Sequence, residues 1–104
     1  MGRARRTDSN LTAIVKAARA AGFLVYVRND ELADLDVQYL RYSELWEVKT
    51  ATGKYKPSQL KHRAEGWLIR TVRTVEDVLQ ARREIRLIKQ ALESPKMPRY
   101  WIRA

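Results

Sequence analysis

The chain contains no cysteine, a single histidine and few of the residues that break regular structure, with three prolines and four glycines in 104 residues. Without cysteine, neither a disulfide framework nor a thiolate zinc site can form. No apolar run approaches the ~20 residues of a transmembrane helix, and the N-terminus lacks the apolar stretch of a secretory signal. We therefore expect a cytoplasmic protein that does not act at a membrane.

Negative charge is also scarce, because 21 lysines and arginines face only 12 acidic residues, for a formal net charge of +9. A field of this sign attracts polyanions and favours binding of nucleic acid. The length fits one small domain over residues 1–104. Within it we expect a basic arm at 1–7, a core at 8–80 and a C-terminal helix extension and tail at 81–104. The arm carries three candidate phosphate contacts, Arg3, Arg5 and Arg6.

Hydrophobic periodicity predicts an α/β fold in the order α-β-β-β-α-β-α, with a mixed central sheet flanked by helices. The expected helices cover residues 11–21, 58–65 and 74–93, and the expected strands cover 23–27, 34–39, 45–49 and 67–72. The first strand is almost continuously apolar, which predicts burial on both of its faces. The two tryptophans Trp46 and Trp67 are expected in the core.

Acidic residues and one lysine are concentrated in the predicted hairpin. Asp34 and Asp36 alternate with apolar residues on one strand, and Glu47 and Lys49 share a face of the next. With a tight turn at residues 40–43, Asp36 is expected beside Glu47 and Asp34 beside Lys49. Carboxylate oxygens suit Mg²⁺, which can polarise a phosphate and activate water, and a lysine can stabilise the growing charge. The alternative is a set of ordinary cross-strand pairs on a solvated face.

The same residues, taken with their flanks, resemble the small phage-type members of the PD-(D/E)xK nuclease superfamily, including the virus-type resolvase-like nucleases. That family has a Pro-Asp on one strand, Glu-x-Lys on the next, and then a helix that opens with proline and carries a glutamine. The matching residues here are Ala33-Asp34, Glu47-Val48-Lys49 and Pro57-Ser58-Gln59. The resemblance covers about residues 6–80 and implies a restriction-endonuclease-like core.

The resemblance implies a DNA endonuclease that depends on Mg²⁺, for which Mn²⁺ could substitute. The implied catalytic and metal-binding residues are Asp34, Glu47, the carbonyl of Val48, Lys49 and Gln59. In these roles the two acids hold the metal, Lys49 serves the attacking water, and Gln59 supports the site. A branched-DNA or Holliday-junction resolvase would be a homodimer, because two symmetric cuts favour a twofold pair of sites.

Two alternatives stay open. Hairpin geometry leaves Asp36 as a second candidate metal ligand beside Asp34, whereas the resemblance favours Asp34. The basic residues that surround the predicted Gln59 helix could either contact DNA phosphates or form a solvated face; they are Lys54, Lys56, Lys61 and Arg63. The competing function is a nuclease-fold DNA-binding module with weak or no catalytic activity.

Overall fold

The structure, a computed structural model, describes residues 9–28 and 30–93. The predicted basic arm and the end of the predicted C-terminal extension lie outside these ranges. The elements are helices α1 (Ser9–Ala20), α2 (Pro57–Ala64) and α3 (Val75–Glu93), and strands β1 (Leu24–Val27), β2 (Leu35–Tyr39), β3 (Tyr42–Val48) and β4 (Ile69–Val72). The α/β class and the predicted element order are therefore confirmed.

The four strands form one mixed sheet in the order β1-β2-β3-β4. The first three strands are antiparallel neighbours, whereas β4 pairs with β3 in parallel. A parallel partner needs a crossover connection, which here contains α2. Both β1 and β4 are consequently edge strands.

The core lies between one face of the sheet and the helices α1 and α3. Trp46 is fully buried there and meets the ring of Phe23 edge-on at 5.0 Å between centroids. The buried members of this cluster are Ile14, Ala18, Phe23, Leu35, Val37, Trp46, Val72, Val78, Ala81 and Ile85. Because side chains alternate along a strand, Asp36 of β2 and Glu47 of β3, each adjacent in sequence to a core residue, point to the other face.

The hairpin turn explains why the predicted register is wrong. Leu40 and Arg41 have φ of 53° and 69°, so the turn has two residues and β3 already begins at Tyr42. Two-residue turns with positive φ match the twist of a hairpin, but they usually contain Asn-Gly or Gly, and this pair gave no such signal. The four-residue turn expected at 40–43 does not form.

The shorter turn shifts the pairing of the two strands by two residues. Asp36 lies opposite Leu45 and Leu35 opposite Trp46. The expectation that Asp36 would sit beside Glu47 is therefore wrong. The register instead brings Asp34, which precedes β2, next to Glu47.

Two expectations of burial are also wrong. Strand β1 was expected to be covered on both faces, yet Tyr26 is 72% exposed and Leu24 69% exposed. Trp67, expected in the core, is half-exposed, because β4 begins only at Ile69. An apolar run indicates a strand, but it does not say whether the strand is central or at an edge.

No helix within residues 9–28 and 30–93 combines the length and the apolar character needed to cross a membrane.

Candidate active site

Glu47 is the one buried charged residue of the described chain, with 2% of its surface exposed. It lies on the sheet face opposite α1 and α3, where α2 covers it. Its Oε2 accepts a hydrogen bond from Gln59 Nε2 and lies 3.7 Å from Lys49 Nζ. Its Oε1 lies 3.4 Å from a guanidinium nitrogen of Arg63. Two cations and an amide therefore surround a carboxylate that water scarcely reaches.

The electrostatic balance at Glu47 is not neutral. Burial raises the pKa of Glu47 above its ordinary value, and the negative charge of Asp34 acts in the same direction. Lys49 and Arg63 lower this pKa but do not reverse the shift. The ionised carboxylate is thus held less favourably than in water, and additional positive charge beside it would stabilise it.

Asp34 is fixed beside Glu47 by the backbone of β3. Its N–H donates to the carbonyl of Trp46 at 3.0 Å, and its Oδ2 accepts from the N–H of Val48 at 2.7 Å. No hydrogen-bond partner of Asp34 Oδ1 occurs in the described part of the chain. One carboxylate oxygen is therefore committed to the fold, while the other is available to a ligand.

Gln59 links α2 to Glu47 and Lys49. It can do so because it lies in the first turn of that helix. Pro57 occupies the first turn of α2, a position that tolerates the missing N–H. Gln59 then reaches back, and its Oε1 accepts from the backbone N–H of Lys56 at 2.7 Å and from Lys49 Nζ at 2.8 Å. The same amide donates to Glu47 through Nε2. Sequence spacing accounts for the bond to Lys56, since the third helical position commonly bonds back to the residue before the helix.

Lys49 is held by its main chain as well as by its side chain. Its N–H donates to the carbonyl of Val72 at 3.0 Å, and its carbonyl accepts from Asn10 Nδ2 at 2.6 Å. Asn10 lies in the first turn of α1, which begins at Ser9. Its side chain links the start of α1 to the end of β3. No pattern in the sequence indicated this contact.

Arg63 is the site residue whose position sequence reasoning missed. The sequence left it as either a DNA contact or part of a solvated face, but its guanidinium is turned inward toward Glu47. It also donates to the carbonyl of Ile69 and to Thr71 Oγ1, each at 3.2 Å, and its Cζ lies 4.2 Å from the centroid of the Tyr55 ring. One signal was present in the sequence: Arg63 follows Gln59 by four residues, and such residues share a helix face.

The carboxylates open into a cleft of about 210 Å³ between the loop before β2 and the start of α2. The residues that line it are Asp30, Glu31, Ala33, Asp34, Glu47, Lys56, Ser58 and Gln59. Within the described residues, no group of three or more His, Cys, Asp or Glu side chains is arranged to hold a metal ion. Two carboxylates alone are nevertheless a common protein contribution to Mg²⁺, whose other ligands are waters and substrate phosphate.

Asp36 lies outside this cleft. Its Oδ2 is 3.4 Å from a guanidinium nitrogen of Arg28, and its partners in the sheet are Tyr26 of β1 and Leu45 of β3. The exposed lysines near the cleft are Lys54, Lys56 and Lys61. The structure thus brings together Asp34, Glu47, Lys49 and Gln59 and separates Asp36 from them. Arg3, Arg5 and Arg6 lie outside the described residues.

Comparisons of the chain with protein-family models, with curated proteins and with solved structures gave no match.

The inward position of Arg63 predicts a stability effect. Replacing Arg63 with alanine leaves Glu47 buried with less compensating charge and removes two further hydrogen bonds of α2. Because Arg63 is partly exposed and Lys49 remains, we expect a loss of about 2–3 kcal/mol in the free energy of unfolding. Lys61→Ala, an exposed change on the same helix, should alter it by less than about 0.5 kcal/mol. Urea denaturation of both variants measures the difference, and equal midpoints would contradict the proposed role of Arg63.

Proposed function

We propose that this protein is a DNA endonuclease that depends on Mg²⁺, built on a restriction-endonuclease-like core. The observation that carries the proposal is that Asp34, just before β2, and Glu47, on β3, line one cleft, with Lys49 Nζ 3.7 Å from Glu47 Oε2. Burying a carboxylate costs free energy. A salt-bridge network on the surface would not need such a buried carboxylate. A buried acid with a raised pKa beside a second acid in a cleft is typical of a functional site.

The donor set fits a hard divalent cation. Asp34 Oδ1 faces no described donor, and the ionised Glu47 still lacks compensating charge. Both would bind the cation, and the carbonyl of Val48 is a further candidate, since the N–H and C=O of one strand residue point toward the same neighbour. Bound there, the cation would supply Lewis-acid polarisation of a phosphate oxygen and acidification of water.

The remaining chemistry falls to the chain itself. The ammonium of Lys49, oriented by Gln59, can donate to the attacking water or to a non-bridging phosphate oxygen. A donor held in place before the reaction stabilises the charge that grows on the phosphoryl group. Gln59 and Arg63 keep the Glu47 carboxylate in position and exclude water from its inner side.

Metal binding can be tested without DNA. We expect Mg²⁺ to raise the thermal midpoint of the wild-type protein, and a concentration 100-fold above the dissociation constant corresponds to about 2.7 kcal/mol. Glu47→Gln should lose this response, while Asp36→Asn should retain it. A cleavage assay on linear, single-stranded and four-way-junction DNA, with Mg²⁺ or with EDTA, then identifies the substrate. Preferred cleavage of the junction would support the narrower proposal of a resolvase.

A specific feature favours a second candidate function. All the polar groups of Glu47 already have partners within the protein, as they would in a purely structural network. A nuclease-fold DNA-binding module with little or no activity has this property too. Its signature would be DNA affinity that depends on salt but not on Mg²⁺, together with no thermal response to the cation.

Both functions predict phosphate contacts beside the cleft. If about six phosphates are neutralised, the log–log dependence of duplex affinity on salt should have a slope near −5. Replacing Lys54, Lys56 and Lys61 with alanine should flatten this slope by up to about three units and leave sequence preference unchanged, because phosphate contacts carry no sequence information. Binding is measured in Ca²⁺ to suppress cleavage.

A matched triple variant on α3 provides the control. Arg83, Arg86 and Lys89 carry the same charge on the opposite side of the sheet, and replacing them should alter the slope little. A larger change of the salt slope in the α3 variant than in the lysine variant would place the DNA along α3. It would refute the proposed phosphate contacts beside the cleft.

A further inference from the structure

Within the described residues, the edge strand β1 contains no lysine and no proline that would hinder its pairing with another strand. Leu24, Val25, Tyr26 and Val27 include no charge and no proline, whereas every other strand carries at least one charged residue. Tyr26 is 72%, Leu24 69% and Val27 46% exposed. Natural proteins commonly protect such edges with lysine, proline or a bulge. An uncharged apolar edge is therefore suited to receive another strand.

The backbone of β1 has groups directed outward. The N–H of Arg28 donates to the carbonyl of Asp34 at 2.9 Å, whereas the carbonyl of Val25 accepts from the Arg19 guanidinium at 3.2 Å. Bonds to β2 and bonds to the outside alternate along an antiparallel strand, so Val25 and Val27 direct their N–H and C=O groups outward. Arg19 is an exposed side chain that occupies one of these groups and can be replaced there by the N–H of a neighbouring strand.

Two clefts flank this edge, one on each face of the sheet. One has a volume of about 430 Å³ and is lined by Leu24, Tyr26 and Gln38 among others. The other, about 380 Å³, lies between β1 and α1 and is lined by Val15 and Val27 among others. Alternate side chains of an added strand point to opposite faces, so such a strand would fill both clefts.

We propose that β1 pairs antiparallel with β1 of a second copy of this chain, which makes the protein a homodimer with one continuous eight-stranded sheet. The strand itself has the chemistry that its surroundings accept: large apolar side chains on both faces and no charge. Cross-strand neighbours would be aromatic and β-branched, and such pairs contribute about 0.2–1 kcal/mol each.

The surface area buried between the two β1 strands is sufficient for a stable dimer only if the residues that line the two clefts are buried as well. A standard interface buries about 800 Å² on each partner, and a tyrosine side chain supplies about 150–250 Å². Leu24, Tyr26 and Val27 alone fall short of that total, so the linings of both clefts must contribute. The expected complex is consequently of modest affinity and depends on concentration.

The symmetry makes a specific geometric statement. Paired residues of neighbouring strands point to the same face, so a twofold axis normal to the sheet places one residue of β1 opposite its own copy. The two copies of β3 would then be five strand spacings apart, about 24 Å at 4.8 Å each. Both Glu47 clefts would open on the same side of the extended sheet.

Sedimentation velocity of the full chain, from about 1 to 200 µM, tests the pairing. The wild-type mass should rise from that of a 12.2 kDa monomer toward twice that value. Tyr26→Lys should weaken association at least tenfold, whereas Leu68→Lys, at a position that is 90% exposed beside β4, should leave it unchanged. A monomer at every concentration, or an equal effect of both lysines, would overturn the proposal.

A second measurement does not require the protein to fold with a lysine introduced into β1. Since the chain has no native cysteine, a single introduced one can form a disulfide only with its own copy. Among Leu24→Cys, Val25→Cys, Tyr26→Cys and Val27→Cys, at least one should give a covalent dimer under mild oxidation, because a disulfide needs Cα atoms about 4.4–6.8 Å apart. Leu68→Cys should not. Absence of any β1 crosslink, or crosslinking of Leu68→Cys alone, would refute the pairing.

Discussion

Replacing Glu47 with glutamine is expected to reduce DNA cleavage by more than about 100-fold. Outer-shell changes at metal sites cost 10–100-fold, and Glu47 is proposed to contact the metal directly. Glutamine keeps the volume and one acceptor oxygen of the side chain but removes its charge. The expected loss therefore reflects the missing carboxylate and not a cavity beneath α2.

The choice of glutamine follows from the burial of Glu47. On a solvated face alanine would be a mild change, but the side chain of Glu47 is 2% exposed and contacts Gln59 and Arg63. Alanine would leave a void and an unpaired guanidinium, so a loss of activity would not separate chemistry from folding. The thermal midpoint of Glu47→Gln, measured beside its cleavage rate, makes that separation. Full cleavage activity in a folded Glu47→Gln variant would refute the proposal that the protein is a nuclease.

The order of elements could be read from the sequence, because it depends on local patterns. Alternation identified β2 and β3, the proline at residue 57 indicated the start of α2, and the resemblance to the nuclease family then assigned Gln59 to the site. These features involve residues that are close in sequence. Each has few conformations consistent with its neighbours.

The parts that sequence reasoning missed depend on contacts between distant residues. The two-residue turn at Leu40 and Arg41 sets the register of the hairpin. Both residues have positive φ, but neither is the glycine or asparagine that usually indicates such a turn. The inward turn of Arg63 depends on the position of α2 over β4, and the exposure of β1 depends on its place at the edge. A single sequence does not encode these arrangements in any periodic pattern.

The second large effect separates the two aspartates. Asp34→Asn should lower cleavage by more than about 100-fold, because Asp34 lines the cleft beside Glu47. Asparagine can still accept the hydrogen bond from the N–H of Val48, so the loop before β2 should keep its position. The substitution removes the negative charge of the Asp34 carboxylate, whose Oδ1 accepts no hydrogen bond from a described residue.

Asp36→Asn is the matched control, the same substitution two residues along the chain. Its carboxylate contacts Arg28 at 3.4 Å and is partly exposed, so the substitution should cost about 0.5 kcal/mol or less in the free energy of unfolding. Because Asp36 lies outside the cleft, the cleavage rate should be nearly unchanged. Initial cleavage rates of the two variants at saturating Mg²⁺ measure the ranking. A larger loss in Asp36→Asn would mean that the metal lies on the β1 side of the sheet face. The observed register, with Asp34 beside Glu47 and Asp36 opposite Leu45, would then not be the register of the active protein.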